Sequence, residues 1–223
     1  MNKSSRRSSF GRIITLVLIL IIPGLLHYYL RQTGENIYKP LPFLGKVEEV
    51  ATTQVQSFEL RNQDNQLVRF PRQPVITVVN FMHTDCDAFG DLMTAAAAKI
   101  ARKFGDHPMI ELFSISLDPS DSPKVLKQYA DSINIKGTKW QFLTGDLDQT
   151  SRIAREEFHL DGFYDAATGN VVHSPYFVLL DSKQQIRGYY EFHTKEEVER
   201  LIGEMILLIT EDSRSQKNGD THE

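Results

Sequence analysis

The run Val75-Ile76-Thr77-Val78-Val79-Asn80-Phe81 constrains the fold more than any other stretch of this chain. It is β-branched and apolar without alternation, the pattern of a strand covered on both faces. Strands of that kind sit inside sheets with helices on either side. Residues 89–104 then read as a helix. They hold the block Ala95-Ala96-Ala97-Ala98, rich in the best helix former, and Gly105 stops it. The loop between strand and helix carries Cys86, the only Cys in 223 residues. One Cys excludes an intrachain disulfide framework and a Cys-rich structural zinc site.

The same strand-then-helix alternation continues. A second buried strand is expected over 110–117. Asp121-Ser122-Pro123 opens a helix to about 132, with Asp121 read as its cap, and a short strand covers 140–143. A helix follows over 148–158. Residues 176–180 and 185–190 form a hairpin, and Val198, Leu201, Ile202, Met205 and Ile209 stand at helical spacing within 194–209. Ahead of all this, 54–60 and 66–70 read as strands around the turn Asn62-Gln63-Asp64-Asn65. The fold class expected is α/β: a thioredoxin-like layout, with a mixed central sheet flanked by helices and chemistry at the N-terminus of the helix after the first central strand.

Lys3, Arg6, Arg7 and Arg12 precede an apolar run over 13–30. Eighteen helical residues reach about 27 Å, near the thickness of a bilayer's hydrocarbon core. With the positive cluster ahead of it, the run reads as an uncleaved transmembrane signal anchor. Residues 1–12 stay in the cytoplasm, and the body lies on the periplasmic side of the inner membrane in a single-pass arrangement. No small-x-small cleavage site follows the run. Residues 31–50, with Gly34, Pro40, Pro42 and Gly45, form a tether, residues 51–210 form the domain, and the polar stretch 211–223 reads as a disordered tail. Residues 1–31 hold five basic and no acidic side chains. The remainder carries 20 Lys and Arg against 29 Asp and Glu, a net −9, which argues against nucleic acid as partner.

Four ordered blocks carry a resemblance. Phe81-Met82-His83-Thr84-Asp85-Cys86 through Leu92-Met93 resembles the Phe-x-Tyr-Thr-x-Cys-Pro-x-x-Cys-Pro-x-Met segment of the Sco/SenC family. Ser116-Leu117-Asp118-Pro119-Ser120-Asp121-Ser122-Pro123 is similar to its Asp-Pro-x-x-Asp-Thr-Pro helix entry. Trp140-Gln141-Phe142-Leu143-Thr144-Gly145 resembles its Trp-x-x-Leu-Thr-Gly strand end, and Val172-His173-Ser174 its His-Ser block. The resemblance implies a membrane-tethered thioredoxin-like domain that binds copper through two Cys and one His. Such a domain acts in maturation of the binuclear copper centre of cytochrome c oxidase. Cys86 takes the first Cys position and His173 the His position. Gly90 stands at the second Cys, Asp87 and Asp91 at the two prolines, and His83 at the Tyr.

The residues leave three uses open. Copper held by Cys86 and His173 is the first. Cu(I) accepts a linear thiolate–imidazole pair, less tightly than a two-thiolate site, and His83 is a further donor three residues before Cys86, though its position also suits packing. Met93 is a soft donor too, but one turn into the helix it reads as core rather than as a ligand. The expected partners are then the copper-bearing subunit of cytochrome c oxidase or another copper or thiol assembly factor, with the membrane contacted through 13–30. The second use is a non-metal assembly factor that keeps the fold and its docking surface. The third is a one-Cys thiol peroxidase. That reading is weakened because Asp85 and Asp87 disfavour a thiolate by like-charge repulsion, although a helix N-terminus favours one. Thiol–disulfide cycling through an internal pair is closed, because Gly90 supplies no resolving thiol. A metallochaperone or assembly factor is expected rather than an enzyme.

Overall fold

The β-branched run becomes the middle of the sheet. The computed structural model describes residues 21–23, 54–85, 88–134, 136–160, 163–165, 170–172 and 174–219. Its elements are β1 (Phe58–Asn62), β2 (Leu67–Phe70), β3 (Ile76–Met82), α1 (Ala88–Phe104), β4 (Ile110–Ser116), α2 (Pro123–Ile133), β5 (Trp140–Thr144), α3 (Leu147–Arg152), β6 (Phe163–Asp165), β7 (Asn170–Val172), β8 (Tyr176–Leu180), β9 (Ile186–Glu191) and α4 (Lys195–Gly219). The seven-stranded sheet runs β2-β1-β5-β4-β3-β8-β9, and β6 and β7 form a separate hairpin. Strands β3, β4 and β5 are parallel, while β1 and β8 flank them antiparallel.

All seven residues of β3 are buried, which is why the run shows no alternation. Val79 and Phe81 face one core with Phe70, Phe113, Leu143 and Phe158. Asn80 turns to the opposite face, where its amide donates to the Met93 sulfur of α1 at 3.3 Å. Helix α2 joins α1 there through a 2.6 Å contact between the Thr94 and Tyr129 hydroxyls. Helix α4 is tied to α1 by the Lys99–Glu199 pair. The fully buried Tyr190 of β9 donates to Glu204 of α4 beneath the Arg200 guanidinium, 4.4 Å from the ring centre. Burial, with Glu204 beside it, raises the Tyr190 phenol well above its ordinary value.

Several elements depart from the sequence reading. The first strand begins at Phe58, and Gln54 makes only an isolated bridge to Gln185. The helix expected over 148–158 is α3 followed by a π-helical turn, Ile153–Glu157. The wider turn closes with the Phe158 N–H donating to the Ile153 carbonyl at 3.3 Å, and it brings Ile153, Ala154 and Phe158 together into the core. The β6–β7 hairpin has no counterpart in the sequence reading. Helix α4 runs on to Gly219, through the stretch from 211 read as a tail. There Asp212 accepts from the Ser182 hydroxyl at 2.9 Å, holding the helix to the β8–β9 turn.

Contacts divide the chain into two units, Met1–Leu41 and Pro42–Glu223. In the first, Ile21 and Ile22 are helical and exposed. The rest of the expected span 13–30, with the 31–50 tether, lies outside the described residues. Among the described residues no helix is long and apolar enough to cross a membrane.

Candidate functional site

The chain leaves β3 at Met82 and reaches the start of α1 at Ala88. His83 and Thr84 on this path are half-buried and Asp85 is exposed. Cys86 and Asp87 lie outside the described residues, as does His173, between Val172 of β7 and the buried Ser174. The neighbours of these two positions are informative. Strands β3 and β8 pair antiparallel through Thr77↔Leu180, Val78↔Leu179 and Val79↔Val178. The end of β3 therefore meets the beginning of β8, so Asp85 and Ser174 belong to the same end of that pair.

The first turn of α1 holds Gly90, which is buried, and Asp91, with Phe89 and Leu92 exposed. Met93 is also buried, and its sulfur accepts from Asn80. The Asn80 side-chain oxygen Oδ1 in turn accepts from the Ser114 hydroxyl at 2.7 Å, and that hydroxyl accepts from the Trp140 indole at 2.9 Å. This buried polar chain crosses β5, β4 and β3 and fixes α1 against the sheet. Met93 is thus a core residue whose sulfur is already engaged by Asn80. Among the described residues, no three His, Cys, Asp or Glu side chains gather as a metal site.

Asp121 differs from its sequence reading. Ser122 is the N-cap of α2, accepting from the Val125 N–H at 3.4 Å. Asp121, only 2% exposed, instead accepts from the Thr84 N–H at 3.0 Å, from the Thr84 hydroxyl, and from the Ser116 hydroxyl at 2.6 Å. Asp118 shapes the same loop by accepting from the Ser120 N–H at 2.7 Å. Thr84-Asp85-Cys86 together with Asp118-Pro119-Ser120-Asp121 was the available signal. Nothing in a single sequence pairs residues 37 positions apart. At the exit of β5, a Cβ on Gly145 would come 2.5 Å from the Leu60 side chain, so a larger residue there requires Leu60 to move.

A sheet with three parallel central strands, antiparallel flanks and helices on both faces defines a thioredoxin-like domain, with the candidate thiol between β3 and α1. The SCO1/SenC family profile matches residues 45–206, and the chain belongs to that family. A SCO1 protein homolog from Bacillus subtilis (strain 168) is 29% identical over 133 residues, 58% of this chain and 62% of that protein. Two solved structures share the fold. BsSco, described as a member of the Sco family of cytochrome c oxidase assembly proteins, has a TM-score of 0.61 at 22% identity, over 72% of this chain and 95% of that one. Copper-bound ScoI from Arabidopsis thaliana has a TM-score of 0.58 at 18% identity, over 69% and 98%.

Proposed function

We propose that this protein is a membrane-anchored Sco chaperone. It receives and presents copper during maturation of a cytochrome c oxidase copper site, with Cys86 and His173 as the ligands that remain of the family set. The observation that carries the reading is the β3–β8 register. It brings Asp85, the residue before Cys86, and Ser174, the residue after His173, to one end of two paired strands, although they are 89 apart in sequence. Copper in the Arabidopsis ScoI structure, and the assembly role stated for the BsSco family, support the cargo and client.

Cu(I) is the form that suits these residues. A thiolate is its preferred soft donor, an imidazole a good second, and two donors satisfy a linear geometry. Only Cys86 offers a thiolate. Asp85 and Asp91, on either side of the thiol in sequence, favour a cation over an anion by simple Coulomb attraction. Copper passes to the client by ligand exchange, without net oxidation or reduction, because no second thiol supplies electrons. Purified wild type is expected to bind about one Cu(I) per chain and Cys86→Ala to bind almost none, read by metal analysis after gel filtration. Equal copper in both would remove Cys86 from the site.

A specific observation favours a second reading, an assembly factor without metal. Gly90 stands where the family carries its second ligand, and the nearby Met93 sulfur is already engaged. Under that reading wild type binds no Cu(I) in the same measurement.

The anchor belongs to the proposal. The basic cluster before 13–30 and the exposed, helical Ile21 and Ile22 support a single span with the domain in the periplasm. Alkaline phosphatase fused after residue 50 is expected to be active and a cytoplasm-dependent reporter silent. The reverse pattern would refute this topology.

A further inference from the structure

Asp121 is a buried carboxylate with three donors converging on it, two of them from one residue. A helix-capping aspartate normally faces water and takes one or two bonds from its own helix. Asp121 makes neither kind of contact, because Ser122 caps α2. Its loop is also held from several sides. The Leu117 N–H donates to the Met82 carbonyl at 2.9 Å, the Asp118 N–H to the Ser116 hydroxyl at 3.1 Å, and the Asp121 N–H to the Asp118 carbonyl at 3.1 Å. The carboxylate therefore stands on a fixed base at the end of β4, and what it grips is Thr84, two positions before Cys86 in sequence.

We propose that Asp121 is a positioning residue for the candidate copper site, fastening the thiol-bearing loop to the end of β4 through Thr84. A two-donor Cu(I) site depends on the separation and angle of its donors, and no third protein ligand corrects a misplaced one. Without the clamp, Thr84 loses both the partner of its backbone N–H and the partner of its hydroxyl. The segment leading to Cys86 then gains freedom that copper binding must remove again. The clamp itself is independent of copper. Its contribution to affinity rests on the function proposed above.

The test uses the full chain in detergent, with Asp121→Asn, Thr84→Val, the double variant and Thr84→Ser. Ile100→Val, a fully buried α1 position away from the loop, serves as a control for lost stability. Two quantities are read at fixed pH: the rate of Cys86 alkylation by iodoacetamide, and Cu(I) affinity by competition with a colorimetric chelator. Asp121→Asn and Thr84→Val are each expected to speed alkylation several-fold and to weaken Cu(I) binding about tenfold or more, as for lost partners that orient a ligand. The double variant should be no worse than the more affected single, because both substitutions break one contact. Thr84→Ser, which keeps the hydroxyl, should match wild type, and Ile100→Val should lower Tm without changing the alkylation rate. Multiplying effects in the double variant, or a Thr84→Val protein with wild-type alkylation, would overturn the proposal. If Asp121→Asn fails to fold, Thr84→Val against Thr84→Ser still decides it. Faster alkylation in a protein that binds no Cu(I) would support the clamp while refuting the copper function.

Discussion

Gly90→Cys is expected to tighten Cu(I) binding by about a hundredfold or more over wild type. Four-ligand structural metal sites hold their ion with about 10–16 kcal/mol, which puts one ligand near 3 kcal/mol, or roughly two decades in affinity. The substitution adds a second thiolate at the position where the family pattern carries one. Gly90 lies in the first turn of α1 with a helical backbone, and the glycines with positive φ among the described residues are Gly105 and Gly137. A Cβ at Gly90 therefore meets no left-handed strain, and leaving glycine favours the helix by a few tenths of a kcal/mol or more. The new thiol enters a buried position, so its effect includes a packing change that Gly90→Ser reproduces without the sulfur. His173→Ala in the Gly90→Cys background should give back part of the gain. Chelator competition reads all four proteins. If wild type binds no Cu(I) while Gly90→Cys does, the scaffold is intact and the native metal role has been lost. If neither binds, Cys86, Gly90 and His173 do not share a site.

The largest stability effect is expected at Phe158. Its ring is fully buried, with centroids 5.5 Å from Phe81, 6.0 Å from Phe70 and 6.4 Å from Phe58. Its carbonyl also accepts from the Tyr189 hydroxyl at 3.1 Å, which ties the π-helical turn to β9. Phe158→Ala removes a large side chain from a position where four elements meet and should cost about 3–5 kcal/mol. For a domain of this size that lowers Tm by roughly 6–20 °C. Leu67→Ala, at a position 60% exposed, should change Tm little, since surface substitutions usually fall within about 0.5 kcal/mol. Thermal unfolding followed by circular dichroism compares the two. Similar Tm values for both variants would mean that the aromatic cluster is not the centre of this core.

Met93 and Asp121 show where sequence reasoning holds and where it stops. Met93 is legible as core because its place in α1 follows from helical spacing, and burial is a property of the face it occupies. Asp121 is not legible. Asp-Ser-Pro ahead of a helix offers two capping side chains, and local rules cannot choose between them. The choice falls to Ser122 because Thr84, from another loop, engages Asp121. The π-helical turn at Ile153–Glu157 escapes for a similar reason. Its residues fit an α-helix equally well, and the wider turn appears where Ile153, Ala154 and Phe158 must all reach one core.

By itself the sequence determined the doubly covered strand β3, the helices that follow the parallel strands, the lone thiol between β3 and α1, and the missing partner at Gly90. These are readable because hydrophobic period, helix terminators and residue identity are local properties. The tertiary structure alone decided that β1 lies against β5 at one side of the sheet, that β8 runs antiparallel to β3 and so brings Ser174 to the end where Asp85 emerges, and that Asp121 grips Thr84. Each of these joins residues far apart in the chain. Their free energy comes from burial and from hydrogen bonds made only after the sheet has assembled, so no window of sequence contains both halves of the interaction.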